Sequence, residues 1–478
     1  MMFDDNNKKA VQHAIDWAML HNVMLKASNF TSRHAPFSFT PLLIEKDRYQ
    51  QLIDASPLFG KLINLISDDH KLIREAILPV AESDDFFSAL LEMHEQIHFQ
   101  GKSARRTPLL IMRTDFMDDI NNGPQLIEFN GIAAGMGPFG QRIHQLHHEL
   151  QQQCSSVYQQ WTDAPQSELV DNIAIERLAD GIQKATLAIK HGFNESQPPR
   201  FLMVTQENED NIFDQFLLEE ALQQRGIETH RRTFKELYHK LSTGKQDRLL
   251  LEGVGSIDTV YLRAGYQYSD YFSEDIEEQK CCETLMKTRV FIEQHQVAVN
   301  ATVGQQLATS KRIQLLLSSM KMEQLVTIGL TEEEAIKIQP LIGEMRQIDQ
   351  NSVEFIKQQS ADDWVLKNQG EGGGHCVFNQ DILPALQAMS KSEYDSWALM
   401  RRLHPAPRTH PTLLVRDGEL TSVNDLISEI GIFTVHIAGE PAVAQQGYAG
   451  YLVRSKRVTT TEGGVHSGLG VLDSLAVK

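Results

Sequence analysis

Cysteine is scarce: the 478 residues contain four, Cys154, Cys281, Cys282 and Cys376, and no pair has Cys-x-x-Cys spacing. Adjacent cysteines rarely bridge each other, so neither a disulfide framework nor a cysteine zinc site is indicated. Reduced thiols in the cytosol are expected. No apolar run approaches the roughly 18 residues that a membrane span needs. The opening MMFDDNNKKAVQHAIDWAML has no basic region leading into a long apolar stretch, so neither a signal peptide nor a membrane partner is expected. Positive charge is in deficit, with 45 Lys and Arg against 63 Asp and Glu and a net charge of −18. That balance argues against nucleic acid as a general partner but leaves room for a local basic cleft. Repeats and low-complexity tracts are missing, and Gly and Pro are not in excess. Also missing are a P-loop ending in Gly-Lys-Ser/Thr, a Gly-x-Ser-x-Gly elbow and a cysteine with the local signature of a nucleophile. What is left is a chain with 41% hydrophobic and 23% charged residues, long enough for two or three compact units.

Up to about residue 190 the pattern is mainly helical, with apolar spacings of three and four in SPLFGKLINLI and NIAIERLADGIQKATLAIK. Two strand-like stretches interrupt it, Pro108 to Arg113 and Gln125 to Asn130. HGFNESQPPR (191–200) reads as a linker. After it RFLMVT, IETHRRTF and TVYLR read as strands and Phe213 to Arg225 as a helix stopped by Gly226. This predicts an α/β unit with a parallel sheet, ending near Asn300. In the last third, WVLK, ALMRRL, SEIGIF and GYLVRSKRV are further strands.

Several segments carry side chains suited to chemistry. Glu128 and Asn130 lie two apart in a strand and leave by one face, where their oxygens suit Mg²⁺; a solvated strand face accounts for them as well. Arg113 at the mouth of an apolar strand can clamp a carboxylate or simply pair with Asp115. In WVLKNQGEGGGH, Lys367 ends a buried-looking strand. Gly372, Gly373 and Gly374 after Glu371 would let backbone N–H groups approach phosphate oxygens, unless the run is a plain surface turn. In GYLVRSKRVTTTEGGVHSGLG, Arg454 and Lys456 share a face beside a second Gly-Gly loop, an arrangement that also fits an edge strand facing water. His144, His147 and His148 cluster in QRIHQLHHEL, a segment without His-Glu-x-x-His, and are expected on a solvated helix face.

In their order along the chain, IEFNGIAAGMG, NEDNIFDQ, VYLRAGY, LKNQGEGGGH, SEIGIF and LVRSKRVTTTEGGVHSGLGVLD resemble the eukaryotic-type glutathione synthetases, from about Arg113 onward and less in the first hundred residues. The resemblance implies an α/β fold of ATP-grasp type. Residues 1–198 and 301–478 would form the catalytic body, 199–300 an inserted substrate-binding α/β domain, and the Gly-rich loops lids. It implies an ATP- and Mg²⁺-dependent ligase that joins γ-glutamylcysteine to glycine through an acyl phosphate. Carried over residue by residue, Glu128, Asn130 and Glu371 would hold Mg²⁺. Glu128, Lys311, Lys367, Glu371, the 372–374 glycines, Phe378, Met400, Arg401, Arg402, Leu403, Glu429, Lys456 and Glu462 would bind ATP. Arg113, Ala133, Gly135, Glu209, Asn211, Gln215, Arg263 and Tyr266 would hold the dipeptide, and Arg454, Val465 and His466 the incoming amino acid. Arg113, Lys367 and Arg454 form the expected catalytic set, and a homodimer is expected.

The departures from the family pattern fall mostly on the substrate side. Ala133 and Gly135 replace two serines, and Ala264 replaces the aspartate of Arg-Asp-Gly-Tyr. Asn368 replaces a proline, Phe378 an aromatic with a hydroxyl, and Val465-His466-Ser467 a Val-Ala-Ala. These leave two alternatives beside glutathione synthesis: the same chemistry with another acceptor or γ-glutamyl dipeptide, and a non-catalytic nucleotide-binding relative.

Overall fold

The computed structural model describes residues 3–478 except 101–103, 163, 275, 277–282, 371–375, 409, 462 and 466–467. Its α/β architecture is centred on one long mixed sheet. The elements that build the site are helices α1 (Lys46–Asp68), α2 (His70–Ala81) and α3 (Asp85–His98), strands β1 (Thr107–Asp119) and β2 (Gly123–Asn130), and helices α4 (Gly137–Gln153) and α5 (Ala174–His191). They continue with β3 (Arg200–Val204), α6 (Ile212–Gln224), β4 (Glu228–Arg232), β5 (Thr259–Leu262), β6 (Ala298–Asn300) and α7 (Lys311–Ser319). The last are β7 (Met345–Gln347), β8 (Trp364–Asn368), β9 (Cys376–Phe378), β10 (Trp397–Arg401), β11 (Leu426–Ile437) and β12 (Tyr448–Arg457).

Across the sheet the order runs Glu419–Val423, Thr412–Arg416, Phe37–Ser38, Val471–Asp473, β12, β11, β1, β6, β5, β3, β4, with β2 folded back on β1. The strands from β6 to β4 are parallel, as the 200–300 pattern predicts. They do not form a separate sheet: β6 pairs with the start of β1, whose other edge carries antiparallel β11. β1 is therefore buried on both faces, which explains its unbroken apolar run. Its side chains alternate between two cores. Leu110, Met112 and Phe116 pack with α1–α3, while Leu109 and Ile111 pack with α4 and α5. β3 repeats this with Leu202 and Val204 on one side and Phe201 and Met203 on the other. The result is three layers, helices on both faces of a sheet.

A second, four-stranded antiparallel sheet, in the order β7, β10, β8, β9, has its own small core around Trp364, Leu366 and Leu399. The 191–200 connection is tied down through Glu195, which accepts from Lys190 Nζ (3.2 Å) and Ser256 Oγ (2.8 Å). Short strands such as Leu42–Ile44 and Glu168–Leu169 lie within the part that reads as helical. Among the described residues no helix is long and apolar enough to cross a membrane.

The 144–148 histidines do not form the solvated face expected of them. His148 is exposed, but His147 is fully buried, with Nδ1 2.6 Å from Ser474 Oγ and Nε2 2.8 Å from the Ser38 carbonyl. Its partners come from the two ends of the chain, which no local pattern displays.

Candidate functional site

Strand register brings the charged candidates together. Arg113 lies opposite Asn130, Asp115 opposite both Glu128 and Gly431, and Glu429 opposite Arg454. Four neighbouring strands thus deliver six polar side chains to one end of the sheet. Asp115 is at their centre. It is fully buried and accepts from Arg113 Nε (2.6 Å) and Nη2 (2.7 Å), Asn130 Nδ2 (3.0 Å) and Arg454 Nη2 (3.2 Å). Burial pushes its carboxyl up to about 6 against the pull of Arg113. Burial would raise Glu429 as well, but its ion pair with Arg454, and then Arg113, bring it down to about 2. Arg113 pairs with Asp115, and it also lines a cavity.

Glycine makes this cluster possible. A Cβ at Gly431 would sit 2.6 Å from both Arg113 Cδ and Asp115 Oδ1. The glycine of SEIGIF therefore clears the space in which that ion pair lies.

The cavity above the cluster has a volume of about 880 Å³, within the usual range for small-molecule sites. Among its described lining residues are eight Arg and Lys against four Asp and Glu, so an acidic protein does carry a local basic cleft. One end is built by α7 and β8. Ser310 caps α7 through its side chain, and Arg312 N donates to Gln369 Oε1 (3.0 Å). Lys311 Nζ then donates to the Gly370 carbonyl (2.8 Å), and Lys367 Nζ to the Ile127 carbonyl (3.3 Å). Both lysines are buried beside Glu128. Burial alone would raise the Glu128 carboxyl, but Lys311 and Lys367 draw it below its ordinary value. Phe378, Met400, Arg401, Arg402, Leu403 and Lys456 line the same end. Arg402 lies over the Phe378 ring at 6.0 Å and donates to Asn379 Oδ1 (2.5 Å), while Lys456 Nζ donates to the Thr461 carbonyl (2.7 Å).

The opposite end is formed by Ala133 and Gly135 after β2, by Glu209 and Asn211 before α6, by Arg263 and Tyr266 after β5, and by Val465. Gln215 does not line the cavity but acts behind it. Its Nε2 holds Glu209 Oε2 (2.6 Å) while Asn211 N holds Glu209 Oε1 (3.1 Å). Asn211 Oδ1 and Arg263 Nε are buried with no hydrogen-bond partner among the described residues, polar atoms that a ligand would satisfy. The substrate-side departures also have structural counterparts. A Cβ at Gly135 would lie 2.4 Å from Arg263 Nη1 and Nη2, so the guanidinium fills room that a larger residue would need. Ala264 is buried, and Asp270 Oδ2 instead accepts from Gly265 N (2.7 Å) and Tyr266 N (3.2 Å).

Glu371, Gly372, Gly373, Gly374, Glu462 and His466 lie outside the described residues. Residues the motifs did not single out also line the cavity, among them Gln306 and Thr309. Their approach has one sequence signal, the glycine after Asn130: a Cβ on Gly131 would meet Thr309 Cγ2 at 2.6 Å.

Comparisons with known proteins find similarity over almost the whole length of the chain. The model of the eukaryotic glutathione synthase ATP-binding domain matches residues 4–477, extending through the first hundred residues. Glutathione synthetase of Homo sapiens is 28% identical over 483 residues, covering 98% of this chain and 96% of that protein. The chloroplastic glutathione synthetase of Solanum lycopersicum is 28% identical over 449 residues, covering 92% and 77%. Among solved structures, a glutathione synthetase-like effector from Globodera pallida superposes with a TM-score of 0.75 at 16% identity, covering 100% of this chain and 98% of that one.

Proposed function

The chain belongs to the eukaryotic glutathione synthase family of ADP-forming ligases, and from that premise we propose that it joins the cysteine carboxylate of γ-glutamylcysteine to the amine of glycine. The observation that carries this reading is Glu128 set between Lys311 and Lys367 in the cavity that also holds Arg113, Arg263 and Arg454. A carboxylate is a poor electrophile. Its oxygen would attack the γ-phosphorus of ATP, releasing ADP and leaving an acyl phosphate. The amine would then attack the carbonyl carbon, expelling phosphate and giving up a proton.

The chain's own residues suit these steps. Lys311 and Lys367 would neutralise the transferring phosphoryl group, while Met400 to Leu403 would line the adenine. Glu209, Asn211, Arg263 and Tyr266 would hold the dipeptide, making residues 199–300 the substrate unit. Arg113, one edge taken by Asp115 and Nη1 also donating to the Gly135 carbonyl (3.2 Å), would present its second Nη1 hydrogen to the reacting carboxylate, and Arg454 would guide the incoming amino acid beside Val465 and His466. Glu128 and Asn130, with Glu371, fit Mg²⁺: the lysines hold Glu128 ionised, and Asn130 commits its Nδ2 to Asp115, leaving Oδ1 as a donor to the cation. When bound, Mg²⁺ would supply charge neutralisation at the phosphates. The second glycine-rich segment and the β8–β9 connection would close over the acyl phosphate and keep water from it. A homodimer in the cytosol belongs to the same proposal.

The test is incubation with ATP, Mg²⁺, γ-glutamylcysteine and a panel of amines, with products identified by mass. Glutathione and stoichiometric ADP are expected. No ADP with any combination would overturn the proposal.

A further inference from the structure

Three histidines meet outside the lining of the cavity. His70 opens α2, and His94 and His98 lie one turn apart on α3 in His94-Glu95-Gln96-Ile97-His98, a His-Glu-x-x-His sequence. The helix pair is held in place by two aspartate caps: Asp69 accepts from Leu72 N (3.0 Å) and Asp84 from Phe87 N (3.0 Å). The His70 and His98 rings stack at 3.6 Å, and the His94 ring lies 4.7 Å from that of His98. One ligand atom from each residue falls within 4.8 Å of the other two. His94 is completely buried, yet among the described residues neither of its ring nitrogens has a hydrogen-bond partner, and buried His70 Nδ1 has none there either. Three buried imidazole atoms without partners are costly unless something satisfies them.

The geometry points to a binding site for a divalent transition-metal ion of the Zn²⁺ class, held by His70, His94 and His98. Imidazole suits Zn²⁺ and not Mg²⁺, which takes oxygen. Tetrahedral bonds of about 2.0–2.1 Å set ligand nitrogens about 3.3 Å apart, so the nitrogens need to close in by up to about 1.5 Å and the stacked His70 and His98 rings must turn until their in-plane lone pairs converge. His70 and His98 are only half-buried and have the freedom to do so. The nearby cation Arg106, 3.5 Å from His98 Nε2, is offset by buried Glu293 at 3.0 Å. Three histidines leave the fourth tetrahedral position to water, but among the described residues no general base attends it. The glutamate that would act as base in a His-Glu-x-x-His protease, Glu95, is tied to Arg74 Nε (2.8 Å), and none of the three histidines lines the cavity. The ion clips α2 to α3, and α2 in turn receives Arg312 Nε on its Ala76 carbonyl (3.1 Å), next to Lys311.

The test uses the full chain, stripped with chelator and kept in saturating Mg²⁺. Zn²⁺ is titrated against a chromophoric chelator, and unfolding is followed in parallel. The expected result is one Zn²⁺ per chain and a melting temperature higher by about 2 °C or more at hundredfold excess over Kd. His98→Ala and His70→Ala should each weaken binding by more than about tenfold, with no effect from His148→Ala at an exposed position. No stoichiometric binding, or binding untouched by both substitutions, overturns the site. Should the variants unfold, X-ray absorption on the wild-type Zn²⁺ complex decides: three imidazoles support the site, and oxygen ligands alone overturn it.

Discussion

Gly431 and Asp115 face each other across β11 and β1, and the missing Gly431 side chain is what lets the Asp115 carboxylate pair with Arg113 there. Gly431→Ala is expected to displace that pair, lowering stability by about 1–3 kcal/mol as overpacking does. Ligase turnover should fall with it. Denaturant unfolding alongside ADP release checks both effects.

Gly135→Ser restores the family residue but places its Cβ where the Arg263 guanidinium now lies. The expectation is a higher KM for the dipeptide, by roughly tenfold if about 1.4 kcal/mol of Arg263 binding is lost. KM for ATP should not change. An improved dipeptide KM would show that Arg263 moves aside without cost.

Lys367→Ala leaves Lys311 as the one lysine named beside Glu128. If Lys367 neutralises the transferring phosphoryl group as proposed, kcat should fall on the order of 10²–10³, the cost of removing one transition-state donor. Single-turnover ADP formation should show the drop, while dipeptide binding by calorimetry should stay near wild type.

Burial depresses His436 and His144 to about 4 each. In the unfolded chain such groups bind a proton near pH 6.5. Their contribution to stability is therefore complete above pH 6.5 and is lost as the pH falls toward 4. For fully buried His436 the loss at pH 5.5 is about 1.4 kcal/mol. Urea unfolding at pH 7.5, 6.5 and 5.5 should show declining midpoints. His436→Gln should flatten the decline.

How far the sequence could be read varied along single strands. The apolar half of β1 is plain from Leu109 to Met112. The half from Arg113 onward is not, because Arg113 and Asp115 are buried among partners at 128–130, 429 and 454 that only pairing brings near. The parallel run of β3, β4 and β5 follows from local patterns, but its fusion to β1 through three-residue β6 has no local mark. Family motifs put Glu128, Lys311, Lys367, Arg263 and Arg454 in one place, and the cavity brings them together. The negative charge of the whole chain hides its basic cleft. Histidine density is a poor guide here: the 144–148 group is the denser one, whereas His94-Glu95-Gln96-Ile97-His98 has the ligand spacing. Its third member, His70, is supplied only by the packing of α2 on α3.

β1 has a consequence for the chain's history. It is paired along both edges and packed on both faces, and its successive side chains alternate between two cores. Gain or loss of one codon within 107–119 would swap the layers, burying Arg113 and Asp115 among hydrocarbon and turning their neighbours into the cleft. Length variation among descendants of this gene should therefore collect in connections such as 192–199 and leave β1 untouched.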